Sequence, residues 1–187
     1  MRDRRCDGVK EQKGVTLWLT GLSGAGKTTI ACILEQKLKE RGLRVERLDG
    51  DVVRTHLTKD LGFSKEDRCE HIERVTYVAE LLTRHGVIVL ASFISPYRSM
   101  RAYSRKRISS FVEVYVHCPL EECIRRDVKG LYEKAMKGGI PCFTGINDPY
   151  EAPENPDLTV NTQEETPEES AERVLRHLEC EGWVSGG

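Results

Sequence analysis

At 187 residues the chain is long enough to bury one full hydrophobic core. Its 29 basic and 30 acidic residues leave a net charge of −1, which excludes a whole-molecule field for nucleic acid or an anionic membrane and makes any anion site local. No stretch approaches the ~18 consecutive apolar residues of a membrane span, and the opening MRDRRCDGVKEQKG lacks the apolar core of a signal peptide, so a cytoplasmic protein is expected.

Residues 14–21, GVTLWLTG, are β-branched and apolar and run straight into glycine, the pattern of a buried strand ending in a loop. From Lys27 the apolar residues fall at Ile30, Ile33, Leu34 and Leu38, a helix that Gly42 closes. LRVERLDGD (43–51) reads as a second strand, and Ile72, Val75, Ala79 and Leu82 mark one face of a helix ending near His85 and Gly86. VIVLASFIS (87–95) and FVEVYVHCP (111–119) are further strands, with a basic, helix-compatible segment between them. A helix after Leu120 gives way to KGGIPCFTGINDPYEAPENPD, too polar and broken for core and expected to be a long functional loop or lid rather than a linker, because LTVNT (158–162) adds one more strand beyond it. Thr166, Pro167 and Glu169 spell a capping box for a last helix that turns Val174, Leu175 and Leu178 inward.

Strands alternating with helices predict a doubly wound parallel sheet of about five strands, with ligands at the carboxyl ends of the strands. Residues 1–13 read as a tail and 14–187 as one domain. Seven cysteines without a C-x-x-C pair, and no histidine at zinc-finger spacing, read as reduced thiols rather than a disulfide framework or a metal centre.

GLSGAGKTT, Gly21 to Thr29, sits between the first strand and the first helix. Gly21, Gly24 and Gly26 let the backbone curl, so that N–H groups from Gly21, Leu22, Ser23, Gly24, Ala25 and Gly26 onward can point at phosphate oxygens before a helix N-terminus. Lys27 adds a mobile positive charge, Thr28 offers a hydroxyl to Mg2+, and Thr29 completes the motif of a P-loop. No N-K-x-D guanine reader follows, so ATP is expected rather than GTP. Phosphoryl transfer also needs a cation holder and a group for the acceptor's proton. Asp49 and Asp51, two residues apart at the end of the second strand, are the candidates, and on extended chain both would point toward the phosphates.

DGDVVR, LGFSKEDR, SFISPYR, DVKGLYEKA and CFTGINDPYEAPENP, in that order from about Gly14 to Leu158, resemble adenylylsulfate kinases, which phosphorylate the ribose 3′-hydroxyl of adenosine 5′-phosphosulfate. The resemblance implies a P-loop NTPase-type fold, Mg2+ with ATP as co-substrate, a homodimer, and association with or fusion to an ATP sulfurylase. It assigns Arg54 and Arg68 to the phosphosulfate or ribose, Phe63 and Phe143 to an adenine sandwich, and Ile94 and Ser95 to a substrate-lining turn. Ser95 is also implied as a phosphoserine intermediate, although in-line transfer requires none. Lys129 matches a lysine of the lid, preceded by Arg125 and Arg126, while Asp49 falls on the water-bound metal side and Asp51 on the substrate side. The sequence departs from the family pattern at His71, in place of asparagine, and Glu73, in place of arginine; Met100 and His117 also differ. A histidine at position 71 is expected to donate one hydrogen bond to substrate and to change charge near neutral pH. Two other readings stay open from the residues alone: a kinase for another hydroxylated metabolite, and a nucleotide-binding regulatory partner of a sulfurylase.

Overall fold

The computed structural model describes residues 12–185, so all but the last two residues of the expected 1–13 tail lie outside the described residues, Cys6 included. A five-stranded sheet runs in the order β2 (Val45–Asp49), β3 (Ile88–Ser92), β1 (Val15–Thr20), β4 (Phe111–His117) and β5 (Leu158–Asn161), every pair parallel. β1 lies in the middle and is buried at every residue, which accounts for its unbroken apolar and β-branched run.

Parallel neighbours need crossovers, and helices supply them: α1 (Lys27–Glu40), α2 (Gly50–His56), α3 (Lys65–Arg84), α4 (Arg98–Arg107), α5 (Leu120–Arg126), α6 (Leu131–Met136) and α7 (Pro167–Cys180). Side-chain alternation along the strands divides the core into two layers. Val15, Leu17, Leu19, Ile88 and Leu90 pack with Ile30 and Leu34 of α1 and with Leu175 and Leu178 of α7. On the opposite face Trp18, Val89, Ala91 and Phe93 meet Ile72, Val75 and Ala79 of α3. The predicted capping box is formed: Thr166 Oγ1 accepts the Glu169 N–H at 3.2 Å, and Glu169 Oε2 accepts the Thr166 N–H at 2.8 Å. Val174, Leu175 and Leu178 face the sheet side as expected.

Several boundaries differ from the sequence reading: β3 ends at Ser92 rather than 95, and β4 at His117 rather than 119. The second strand stops at Asp49 rather than 51, because the Asp49 carboxylate accepts the Asp51 N–H at 3.1 Å and so caps α2. The chain beyond Leu120 holds two short helices, not one. Asp127 (φ 25°) and Gly130 (φ 63°) break the first, and the Asp127 carboxylate accepts the N–H groups of Tyr132 and Glu133, both at 3.0 Å, to start the second. Among the described residues no helix is long and apolar enough to cross a membrane.

Candidate active site

The carboxyl ends of β1, β2 and β3 open into a cavity of about 610 Å³, roofed by α6 and the segment that follows it. Ser23, Gly24, Gly26, Lys27, Thr28 and Thr29 line it, whereas Gly21, Leu22 and Ala25 serve the loop from behind. A side chain at Gly21 (φ 154°) would bring its Cβ within 2.4 Å of the Val116 carbonyl oxygen, so only glycine lets the loop leave β1 beside β4. Leu22 packs against the core and Ala25 is fully buried.

Lys27 is 9% exposed, and its ammonium donates to the carbonyls of Gly21 at 2.9 Å and Leu22 at 2.7 Å. Burial lowers its pKa to about 8, against the opposing pull of nearby groups that include Asp49 and Asp51. Thr28 Oγ1 donates to Asp49 Oδ2 at 2.8 Å, which brings the loop's hydroxyl and the β2 carboxylate together.

The chain is not extended through both aspartates as expected, because Asp51 lies in α2, yet both residues line the cavity. Asp49 is 8% exposed and held by Thr28 and the α2 N-terminus, while Asp51, in the first turn of α2, opens to the cavity mouth and takes an ion pair from Lys129.

The acceptor side is walled by the other predicted residues. Phe63 is 59% exposed, with the Arg54 guanidinium stacked 4.4 Å from its ring centroid. Phe143 is 9% exposed and lies edge-on to Tyr132, centroids 5.0 Å apart, so it is half core residue and half cavity lining. Arg68 lines the cavity while bracing the lid: it donates to Phe63 O at 2.9 Å, to Thr144 Oγ1 at 2.8 Å and to Cys142 O, and it sits 3.7 Å from Asp148. Ile94 and Ser95 also line the cavity. Ser95 is 2% exposed with a left-handed φ of 39°; its hydroxyl accepts from Trp18 Nε1 at 3.1 Å and donates to Thr20 Oγ1 at 3.1 Å.

His71 reaches the cavity wall and shares a 2.8 Å hydrogen bond between Nδ1 and Thr58 Oγ1. Burial, reinforced by the charges of Arg54 and Arg74, pushes its pKa down to about 4, below the near-neutral range expected from the sequence. Glu73 points to solvent and lines no part of the cavity. Arg125 pairs with Glu122 on the outside, and Arg126 donates to Thr162 O at 2.6 Å; neither lines the cavity. Met100 is core, and His117 bonds Tyr115 at 3.1 Å.

Sequence reasoning missed Arg101, Tyr132 and Ser92. Arg101 is 3% exposed and ties Glu113, Ser95 O and Glu151 O together. Tyr132 OH donates to Ser23 O at 2.9 Å, which couples α6 to the phosphate loop. Arg101 sits in a basic stretch where nothing distinguishes it from Arg98 or Arg105, so no sequence signal marks it.

A phosphate loop sharing one cavity with a wall of arginine and aromatic side chains, with a second carboxylate at the cavity mouth, is the layout of a small-molecule kinase rather than a motor, and the fold and site together define a P-loop kinase. Solved kinases of other specificity share that fold, including shikimate kinase from Aquifex aeolicus at 18% identity and a TM-score of 0.53, over 92% of this chain and 100% of that one. The chain belongs to the adenylylsulphate kinase family, whose profile matches residues 13–161. It is 59% identical over 177 residues to adenylyl-sulfate kinase from Halothermothrix orenii, covering 95% of this chain and 96% of that protein. A solved structure of the Mycobacterium tuberculosis APS kinase CysC, in complex with AMPPNP and APS, superposes with a TM-score of 0.87 at 45% identity, over 90% of this chain and 99% of that one.

Proposed function

We propose that this cavity transfers the γ-phosphoryl group of ATP to the ribose 3′-hydroxyl of adenosine 5′-phosphosulfate, giving ADP and 3′-phosphoadenylylsulfate. One observation carries the reading: the Lys27–Thr28–Asp49 cluster and the Arg54, Phe63, Arg68 and Phe143 wall open into one cavity, with Asp51 and Lys129 at its mouth.

The loop amides from Ser23 to Thr29 and the α1 N-terminus receive the β and γ phosphates, and Lys27 exchanges its carbonyl partners for phosphate oxygens. The adenine of the acceptor lies between Phe63 and Phe143, where stacking on an aromatic ring is worth about 1–3 kcal/mol per base. Arg54 and Arg68 neutralise its phosphosulfate. Asp51 accepts the proton as the 3′-oxygen forms its bond to phosphorus; the bond from phosphorus to the bridging oxygen breaks, and ADP leaves. During the transfer Lys129 stabilises charge on the equatorial oxygens. His71 supplies a neutral ring to the wall, and Ile94 and Ser95 shape it. Direct transfer leaves Ser95 as a positioning group, in keeping with a hydroxyl already bonded to Trp18 and Thr20.

The residues suit Mg2+. Thr28 Oγ1 and the Asp49 carboxylate are hard oxygen donors 2.8 Å apart beside the phosphate loop. Among the described residues no three His, Cys, Asp or Glu side chains gather into a cage, so nucleotide and water would provide the remaining ligands, as is usual for Mg2+. Thr28 would bind it directly and Asp49 through water; when bound, it neutralises the β- and γ-phosphate oxygens.

Asp51→Asn is expected to keep ATP affinity and lose at least about 100-fold in turnover, the scale of a positioned general base. Near-normal turnover in a coupled ADP-release assay with adenosine 5′-phosphosulfate would refute the role. The reading extends to a single domain over 14–187 that works in the cytoplasm as a homodimer, with an ATP sulfurylase supplying its substrate as an associated or fused partner. Light scattering of the purified chain tests the dimer.

A further inference from the structure

Among the described residues one buried side-chain polar atom has no hydrogen-bond partner, the hydroxyl oxygen of Ser92. Ser92 ends β3, is 3% exposed and lines the cavity. β3 lies between β1 and β2, and its register sets Ser92 beside Leu19 on one side and Asp49 on the other. Side chains in register on parallel strands leave the sheet on the same face. Leu19, and Leu90 two residues back along β3, both lie in the core layer beneath α1. The Ser92 hydroxyl therefore leaves the sheet on the α1 side, one strand spacing (about 4.8 Å) from Asp49. That is the carboxylate to which Thr28, in the first turn of α1, donates.

In many P-loop enzymes the cation is held from one side by the loop hydroxyl and from the other by a carboxylate on a nearby strand. Here the strand next to that of the loop ends in a hydroxyl, and the carboxylate comes from one strand further out. A hydroxyl carries one donor and two acceptor positions, and a buried one left unpaired weakens the fold that holds it. Its neighbour Asp49 repels a phosphate oxygen but attracts a hydrated cation, whose waters need acceptors. We propose that Ser92 Oγ accepts a hydrogen bond from a water of the nucleotide's divalent cation, completing with Thr28 and Asp49 an oxygen-lined holder. This rests on the reading of the cavity as a Mg-nucleotide site.

Mn2+ serves as the probe, its free concentration followed by electron paramagnetic resonance while it titrates the full chain with ADP. In Ser92→Ala the affinity of the protein–ADP complex for Mn2+ is expected to fall about 10-fold or more, the scale of a lost outer-sphere partner. ADP affinity in EDTA is expected to stay within about twofold, and the melting temperature of the free protein to hold or rise, because the unpaired hydroxyl is gone. Unchanged Mn2+ affinity overturns the proposal, and so does an equal loss of ADP affinity with and without metal, which would assign the hydroxyl to phosphate. Wild-type protein that forms no Mn2+–ADP complex overturns the active-site reading itself, and this inference with it.

Discussion

Arg101→Met breaks the most buried ion pair near the site. Arg101 and Glu113 are 3% and 7% exposed, with Nε 2.9 Å from Oε1, and the same guanidinium donates to Ser95 O at 2.6 Å and to Glu151 O. Three segments meet there: β4, the turn after β3 and the return from the lid. Removing one partner of a buried pair costs about 3–5 kcal/mol, because the other charge is left in a poor solvent. Arg105 remains 3.4 Å from the second Glu113 oxygen and is partly exposed, which holds the cost near the lower bound, about 3 kcal/mol. At about 2–4 °C per kcal/mol for a domain of this size, the melting midpoint should drop by about 6–12 °C. The double variant Arg101→Met with Glu113→Gln removes both charges and should recover at least half of that loss, which urea melts of the full double-mutant cycle would measure. A single variant within about 1 kcal/mol of wild type, or a double variant less stable than the single, would refute the reasoning. With Ser95 released from its φ of 39°, the same variant should raise KM for the acceptor more than KM for ATP.

Three further outcomes are expected. Lys27, lowered to about 8 by burial, should regain its proton when phosphates replace its carbonyl partners, so nucleotide binding at pH 8 should take up about half a proton. Calorimetry in buffers of different ionisation enthalpy would detect this, and zero uptake would count against the assignment. His71, held near 4, should show no ring titration by NMR between pH 5.5 and 8. Its folded pKa is below the unfolded value of about 6.5, so the unfolded chain binds more protons in that window and this residue's contribution to stability declines as pH falls from 6.5 toward 4. Thr166→Ala, which deletes the capping box of α7, should cost about 1 kcal/mol and lower the midpoint by about 2–4 °C while leaving both KM values unchanged.

The local sequence was sufficient wherever one short stretch carried its own physics. The apolar run 15–20, the glycine spacing from Gly21 to Gly26 and the Thr166–Glu169 cap each specify backbone conformation without help from elsewhere, and all three formed. Residue chemistry also pointed to Lys27 and Thr28, and the family resemblance to Arg54, Phe63 and Arg68; all five line one cavity. Tertiary structure decided the rest, because burial and orientation depend on partners distant in the chain. Asp49 and Asp51 take different partners because a helix begins between them, and burial beside Thr58 and Phe93 lowers the His71 pKa. Arg101 becomes a buried clamp because β4 sets Glu113 opposite it, and the Ser92 hydroxyl gains meaning only where β3 is paired to the strand of Asp49. Periodicity and glycine spacing are properties of neighbours along the chain, whereas charge, burial and unpaired polar groups are properties of neighbours in space.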